Sequence, residues 1–353
     1  MTQSNLANLD LNLLKQLSEI DGVPGREEHV RDLVRAQLGG LVDDLREDAM
    51  GNLIALKKGT APEGERRRVM LSAHMDEIGF IISYIDDKGY LRLQNLGGFD
   101  NRNLFARNVT VWTRGGPLPG ILSAGGRPVH ISSPEDRKKV PELREFYVDL
   151  GLKWDYMKGR VRVGDPVTLD QSFREVGALL CGKAMDDRAC VFVQLEVLRA
   201  LQTTPPKHDV YAVFSTQEEV GLRGAVTAAY SVEPTVGIGL DVTLAVDTPG
   251  VGPEEAVTKM GEGVGIKLYD SSMISTRSLV DEFIDLAESG GIPYQLEVLP
   301  LGGTDGGAIQ RSRGGVPTLT LSLPTRYIHT IVESVHRHDV AATRDLLLAY
   351  LSR

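Results

Sequence analysis

Apolar positions along the chain change rhythm three times. From Leu11 to Leu17 and again from Glu27 to Leu41 they recur at helical spacing, with Val30, Leu33, Val34 and Leu38 on one stripe of the second segment. Pro24-Gly25 separates the two predicted helices. Asn52–Leu56 and Val69–Ala73 are short apolar runs of the kind that form buried strands, the second ending at His74. From about Ile81 to Leu169 the texture changes to brief β-type runs such as FIISYI, YLRLQNL and NVTVWT, punctuated by Gly, Pro and Asp. This predicts a β-rich, barrel-like unit, with one short helix in Ser133–Glu145.

Alternation of strand and helix resumes after Leu180. Helices are predicted over 188–201, 222–229, 276–289, from 307 and over 337–350, with strands at 209–214, 236–240, 294–299 and 316–323. Such alternation predicts an α/β fold, a mixed or parallel sheet covered by helices on both faces. The domain reading is therefore an α/β domain from 1–80 and 170–353 with a β-rich domain, 81–169, inserted at a loop.

Composition narrows the function. The 353 residues are 42% apolar and 25% charged, an ordinary globular profile. A net charge of −9 and the lack of a basic cluster longer than Arg66–Arg68 argue against a nucleic-acid partner. No apolar run is long enough for a bilayer, and the start of the chain lacks a secretion-signal pattern. With two cysteines only, Cys181 and Cys190, no disulfide framework is implied and a cytoplasmic protein is expected. Glycine pairs such as Gly97-Gly98 and Gly302-Gly303 mark tight loops where a backbone can approach something closely.

Candidate chemistry sits at strand ends. His74 and Asp76 follow VMLSA, Glu218 and Glu219 follow VYAVFST, Asp241 follows VGIGL, and His329 lies beyond PTLTLSLP. In open α/β sheets ligands gather beyond the carboxyl ends of strands. In a continuing strand Glu218 and Glu219 would face opposite ways, so both serve one site only if the chain turns. Alone, the pair is a solvated strand end, and Asp186-Asp187 before a helix is a cap. Together, two histidines and several carboxylates make a nitrogen/oxygen set suited to divalent zinc, cobalt or manganese. A carboxylate shared by two ions would make a hydrolase centre, with one further acid left free as base.

Six blocks, AHMDEIGF, KAMDDRAC, STQEEVGLRGA, GLDVTLAVDTPG, LGGTDGGAI and PTRYIHTIVE, resemble the M42 family of metallo-aminopeptidases over nearly the whole chain. The resemblance implies a zinc-peptidase type of sheet with the inserted barrel-like domain serving oligomerisation and access. It implies two divalent ions per subunit, zinc or cobalt, and removal of the N-terminal residue from short peptides by a water held between them. His74 and Asp241 would complete one ion and Glu219 and His329 the other, with Asp186 bridging. Glu218 would be the general base, and Asp76 would orient His74 from behind. Asp247, in a DTPG turn, competes with Asp241, which the family pattern favours. The family expectation for assembly is a tetrahedral, twelve-subunit particle. Related di-metal carboxypeptidases and N-acyl amino acid deacylases are the alternative. They tend to carry an α/β insertion, where this chain shows a β-rich one.

The remaining candidates carry milder expectations. Asp305 is expected near the pocket wall, Glu333 as support for the His329 loop, and Arg188 either beside a site carboxylate or simply starting its helix. His29, His208, His336 and His338 are expected to be structural or exposed, and so is His130, whose PVHISSPEDR segment resembles a family block and leaves a place beside the active site of its own or a neighbouring subunit as the alternative.

Overall fold

Helices α1 (Leu11–Glu19) and α2 (Glu28–Gln37) form where the apolar stripes place them, burying Leu13, Leu14 and Leu17 on one and Val30 and Val34 on the other. The structure, a computed structural model, describes residues 9–353, so the first eight positions of the 1–80 segment lie outside the described residues. The Asp10 carboxylate caps α1 by accepting the Leu13 N–H at 3.1 Å. Strands β1 (Asp44–Glu47), β2 (Leu53–Lys57) and β3 (Arg68–His74) follow.

The chain then leaves the sheet for β4 (Gly79–Ile85), β5 (Leu91–Leu96), β6 (Arg107–Thr113), β7 (Gly116–Ala124), β8 (Phe146–Asp149) and β9 (Pro166–Leu169). These close into an antiparallel barrel in the order β4-β5-β8-β7-β6-β9. Phe80, Ile82, Val109, Val111, Phe146 and Val148 fill it, and Met157 of the short helix α3 (Trp154–Met157) joins that core. The helix expected in 133–145 is instead two 3₁₀ turns, Asp136–Lys138 and Leu143–Glu145. Pro141 between them has no N–H to continue a helical ladder.

Back in the sheet come β10 (Arg174–Val176), β11 (Leu179–Gly182), α4 (Met185–Ala200), β12 (Asp209–Ser215), α5 (Arg223–Val232) and β13 (Val236–Leu244). The chain finishes with β14 (Val264–Tyr269), α6 (Arg277–Gly290), β15 (Tyr294–Val298), α7 (Asp305–Gln310), β16 (Thr318–Arg326), β17 (Glu333–His336) and α8 (Arg337–Leu351). The strand order is β1-β2-β12-β3-β13-β16-β17-β11-β10, with β14 pairing β15 and β16. The central four, β12, β3, β13 and β16, run parallel, and the flanking pairs are mostly antiparallel. Parallel strands must be buried on both faces. In β3, Val69, Leu71 and Ala73 join the core that includes residues of α1, α4, α6 and α8, while Met70 packs with α5 and α7 residues. Gly239 is required by close packing: a Cβ there would stand 2.7 Å from Thr320 Oγ1 and 3.1 Å from the Gly306 nitrogen.

Five strands are absent from the sequence reading, β10 and β11 among them. β1 (DLRE) and β17 (ESVH) have too few apolar residues to show as strands, and β14 follows a glycine-rich stretch without a clear alternation. β13 also continues through Asp241 to Leu244, so Asp241 lies within its strand and not after it.

Arg188 resolves as a fastener between elements. Its guanidinium is fully buried and donates to the carbonyls of Met75 at 2.5 Å, Leu17 at 2.8 Å, Ile20 at 3.2 Å and Gly22 at 3.3 Å. It starts the regular part of α4, one of the two expected settings, and its hydrogen bonds go to main chain and tie the end of α1 to the end of β3. Arg188→Lys keeps the charge but loses the planar fork, and should lower the unfolding free energy by about 2 kcal/mol. Urea denaturation measures this; an unchanged midpoint would show that the fastener carries no stability.

Candidate metal centre

The parallel strands converge on one edge, where His74 ends β3 beside its register partner Ser215, the last residue of β12. Beyond Ser215 the chain turns, with Gln217 at a φ of +55°. Four successive N–H groups of the turn are taken by buried side chains. Thr216 donates to Asn52 Oδ1 and Gln217 to Glu27 Oε1, both at 3.0 Å. Glu218 donates to Asp76 Oδ1 at 3.0 Å and Glu219 to Asp76 Oδ2 at 3.1 Å. One carboxylate thus holds both glutamates by the backbone, leaving both side chains to line the same cleft.

Asp76 meets His74 differently from the expected carboxylate–imidazole pair. His74 Nδ1 is 2.9 Å from the Asp76 carbonyl oxygen, and the carboxylate is 3.6 Å away. The residue therefore orients the imidazole with its main chain while its side chain serves the glutamates.

Asp186, at the start of α4, lies between the two histidines. Its Oδ1 is 3.0 Å from His74 Nε2 and its Oδ2 is 3.5 Å from His329 Nε2. His329 Nε2 is also 3.4 Å from Glu219 Oε2. Glu333, the first residue of β17, accepts the Asp186 N–H at 3.0 Å and the His329 N–H at 2.8 Å, bracing two elements at once. Single donor atoms of His74, Asp186 and Glu219 lie within 4.8 Å of one another, and so do those of His74, Asp187 and Asp241. Asp187 was given no site role by the sequence reading. Its only signal was adjacency to Asp186, yet its Oδ2 accepts the His74 backbone N–H at 3.2 Å.

Other candidates take supporting places. Asp247 pairs with Arg326 at 2.7 and 2.8 Å, apart from these groups. Asp305 is buried and accepts the hydroxyls of Ser72 at 2.6 Å and Ser215 at 2.5 Å, tying β3 to β12, while Gly302 and Gly303 before it line the cleft. A buried ion pair missed in the sequence joins Lys183 to Glu77 at 2.7 Å. The barrel reaches the site through the Gly97-Gly98 loop after β5. A Cβ on Gly98 would lie 3.2 Å from His329 Nδ1, and one on Gly97 would lie 3.1 Å from Glu219 Oε2. His29 and His130 are exposed, and His336 caps α8 by accepting the His338 N–H at 3.3 Å.

Residues 51–346 match the family described as M42 glutamyl aminopeptidase. A putative aminopeptidase of Acetivibrio thermocellus is 36% identical, the match covering 96% of this chain and 97% of that protein. The solved structure of an aminopeptidase from the archaeon Desulfurococcus kamchatkensis is 38% identical with a TM-score of 0.91, over 97% of this chain and 94% of that one. The TET1 peptidase of Pyrococcus horikoshii, which can assemble into a tetrahedron or a large octahedral shell, is 31% identical with a TM-score of 0.86, over 97% of this chain and 98% of that one.

The charge balance of the site fits divalent cations. Burial and then Asp241 push Asp187 well up; burial raises Glu218 against the pull of His74; burial and then Asp186 raise Asp241 and Glu219. Burial would lower both imidazoles. Asp186 and Asp76 nonetheless hold His74 well above its ordinary value, and Asp186 and Glu219 push His329 up to about 12. Buried Asp187 Oδ1 and Glu219 Oε1 have no hydrogen-bond partner. Oxygen and imidazole donors crowded together with unpaired oxygens are the donor set such ions take.

A carboxylate raised by folding contributes stability that is complete below its unfolded value, about 4, and is lost as pH climbs through the folded one. The raised histidines act in the same sense at higher pH, whereas Asp186, held low by its imidazole neighbours, acts oppositely only in acid. EDTA-treated protein should therefore melt lower as pH rises from about 5 to about 8, and added Zn²⁺ or Co²⁺ should raise the melting temperature more at the upper end. Differential scanning calorimetry checks this, and an equal cation shift at both ends would contradict the electrostatic account.

Proposed function

The chain belongs to the M42 glutamyl aminopeptidase family and is a peptidase, and on that premise we propose that it removes the N-terminal residue from short peptides at the His74–Asp186–His329 centre. The observation that carries the reading is the carboxylate of Asp186, each oxygen of which faces a different histidine. His74, Asp186 and Asp241 would hold one divalent cation and Asp186, Glu219 and His329 a second, zinc or cobalt by donor type, with Asp187 close to the first group. Bound there, the cations would supply polarisation of the scissile carbonyl and activation of the attacking water.

The chain's own residues do the rest. Glu218 is buried, its carboxyl raised by that burial, and its Oε2 stands 3.9 Å from His74 Nε2. It takes the proton of the attacking water and returns it to the leaving amine, the task a raised carboxyl suits near neutral pH. Asp76 holds Glu218 and Glu219 by their N–H groups, so the base and its neighbour keep a fixed relation. The acidic floor of the cleft attracts the ammonium of a free peptide N-terminus, which favours an aminopeptidase over cleavage within a chain.

In this reading 1–80 and 170–353 form the catalytic domain and 81–169 the unit for subunit contacts and access. Exposed apolar residues on the barrel segment, Tyr84, Ile121, Val129, Ile131 and Val140, support an assembly role, as does the shell-forming relative. A tetrahedral dodecamer is the assembly proposed. Two free cysteines suit a cytoplasmic setting, and no helix among the described residues is long and apolar enough to cross a membrane.

Glu218→Gln should retain its cations by metal analysis but lose about 1,000-fold in kcat; turnover near wild type would remove Glu218 as base. Aminoacyl p-nitroanilides should be cleaved by the metal-loaded protein and N-acetyl amino acids should not. Failure on every free-amine substrate would reject the aminopeptidase reading. Native mass spectrometry should find twelve subunits, and a monomer would reject the assembly.

A further inference from the structure

We propose that the cleft selects peptides whose first residue is neutral and apolar, of leucine or methionine size, and discriminates against glutamate and lysine at that position. The inference rests on the aminopeptidase reading and adds the substrate class. The cleft measures about 530 Å³, and its acids, Asp186, Glu218, Glu219 and Asp241, all belong to the floor. Its walls rise from the end of β13, the loops after β14 and β15, and the segments at Leu222 and Ile328. Leu222, Leu244, Leu299, Leu301 and Ile328 supply their apolar surface. Leu301 is 80% exposed and Leu244 40% exposed, an apolar rim that an apolar side chain would cover.

Neither kind of charged side chain finds a partner on these walls. No lysine or arginine lines the cleft among the described residues. A glutamate carboxylate directed to the walls would find no cation there, because His329, the basic group that lines the cleft, already faces Asp186 and Glu219 at the floor, and its desolvation would go uncompensated. Behind the wall, Lys267 is fully buried, ion-paired to Glu297 and 4.0 Å from Asp270, so it is spent inside the protein. The same network removes acids from reach of a lysine, because Asp270 and Glu297 are themselves buried.

The wall hydroxyls are committed as well. Thr243 donates to Glu297 at 2.5 Å, Ser272 to Asp270 at 2.7 Å and Ser271 to the Gly302 carbonyl, while Thr304 pairs with Thr320 at 2.9 Å. Walls whose hydroxyls already have partners read the size and apolarity of a side chain more than its charge.

Metal-loaded, full-length protein should be assayed on leucyl, methionyl, glutamyl and lysyl p-nitroanilides, with calorimetric titration of free L-leucine, L-glutamate and L-lysine beside it. Leucyl and methionyl substrates should exceed glutamyl and lysyl ones in kcat/KM by at least about 100-fold, and leucine should bind more tightly than the charged amino acids. Leu301→Arg, at an exposed position, and Leu244→Arg should each shift the glutamyl-to-leucyl ratio upward by about 10-fold or more. Glutamyl or lysyl cleavage equal to leucyl cleavage, or glutamate binding as tight as leucine, would overturn the inference and leave the aminopeptidase reading intact. Should no free-amine substrate be cleaved, that reading fails, and the ranking of the free amino acids by calorimetry still decides the side-chain preference.

Discussion

A carboxylate held out of water beside other carboxylates is unfavourable unless something of opposite polarity reaches it. At the edge of this sheet Asp186, Asp187, Glu218, Glu219 and Asp241 crowd around two imidazoles, and the surrounding elements are arranged to make that tolerable. His74 and His329 stand against these acids, whose carboxylates raise both imidazoles against the effect of burial. Behind them Lys183 neutralises Glu77, while the buried Arg188 satisfies main-chain carbonyls next to the crossing into the barrel. The sheet provides the geometry: parallel strands deliver residues from distant parts of the chain to one edge without exposing the backbone that carries them.

Two further carboxylates act on main chain. Asp76 grips the N–H groups of Glu218 and Glu219, and Glu333 grips those of Asp186 and His329. Each reaches a residue more than a hundred positions away, and each leaves the gripped side chains free to face the cleft. This explains how adjacent glutamates, which a continuing strand would send to opposite faces, come to share a site. The strand stops at Ser215, and every N–H from Thr216 to Glu219 has a buried acceptor.

Much of this frame is visible in the chain itself because buried parallel strands are written as apolar runs. VMLSAH and VYAVFS announce both the strands and the point at which chemistry begins. What escapes such a reading depends on contacts between distant segments. β17 carries a single buried valine and is held as a strand by its neighbours, so ESVH gives no local signal although it contains Glu333. Asp241 interrupts an apolar run and looks like a strand's end, yet pairing with Ser322 keeps β13 extended through it. Asp187, the Glu77–Lys183 pair and the approach of Gly97-Gly98 to the site depend on where separate elements meet, and no periodicity reports that. The resemblance to a known family names the chemistry far more sharply than spacing does, because six blocks in order constrain more than any one pair of acids.

The passage from sheet to barrel has a mechanical meaning. Between β3 and β4 only Met75, Asp76, Glu77 and Ile78 intervene, and all four are buried. Asp76 is bonded to the Glu218–Glu219 turn, Glu77 to Lys183 and to the Gly22 N–H, and the Met75 carbonyl to Arg188. A crossing anchored at three of its four residues behaves as a clamped beam and not as a hinge. A torque applied to the barrel would be delivered to His74 and to the glutamate turn as strain, with little slack to absorb it. Whatever grips the outside of the barrel therefore holds a short lever on the centre itself.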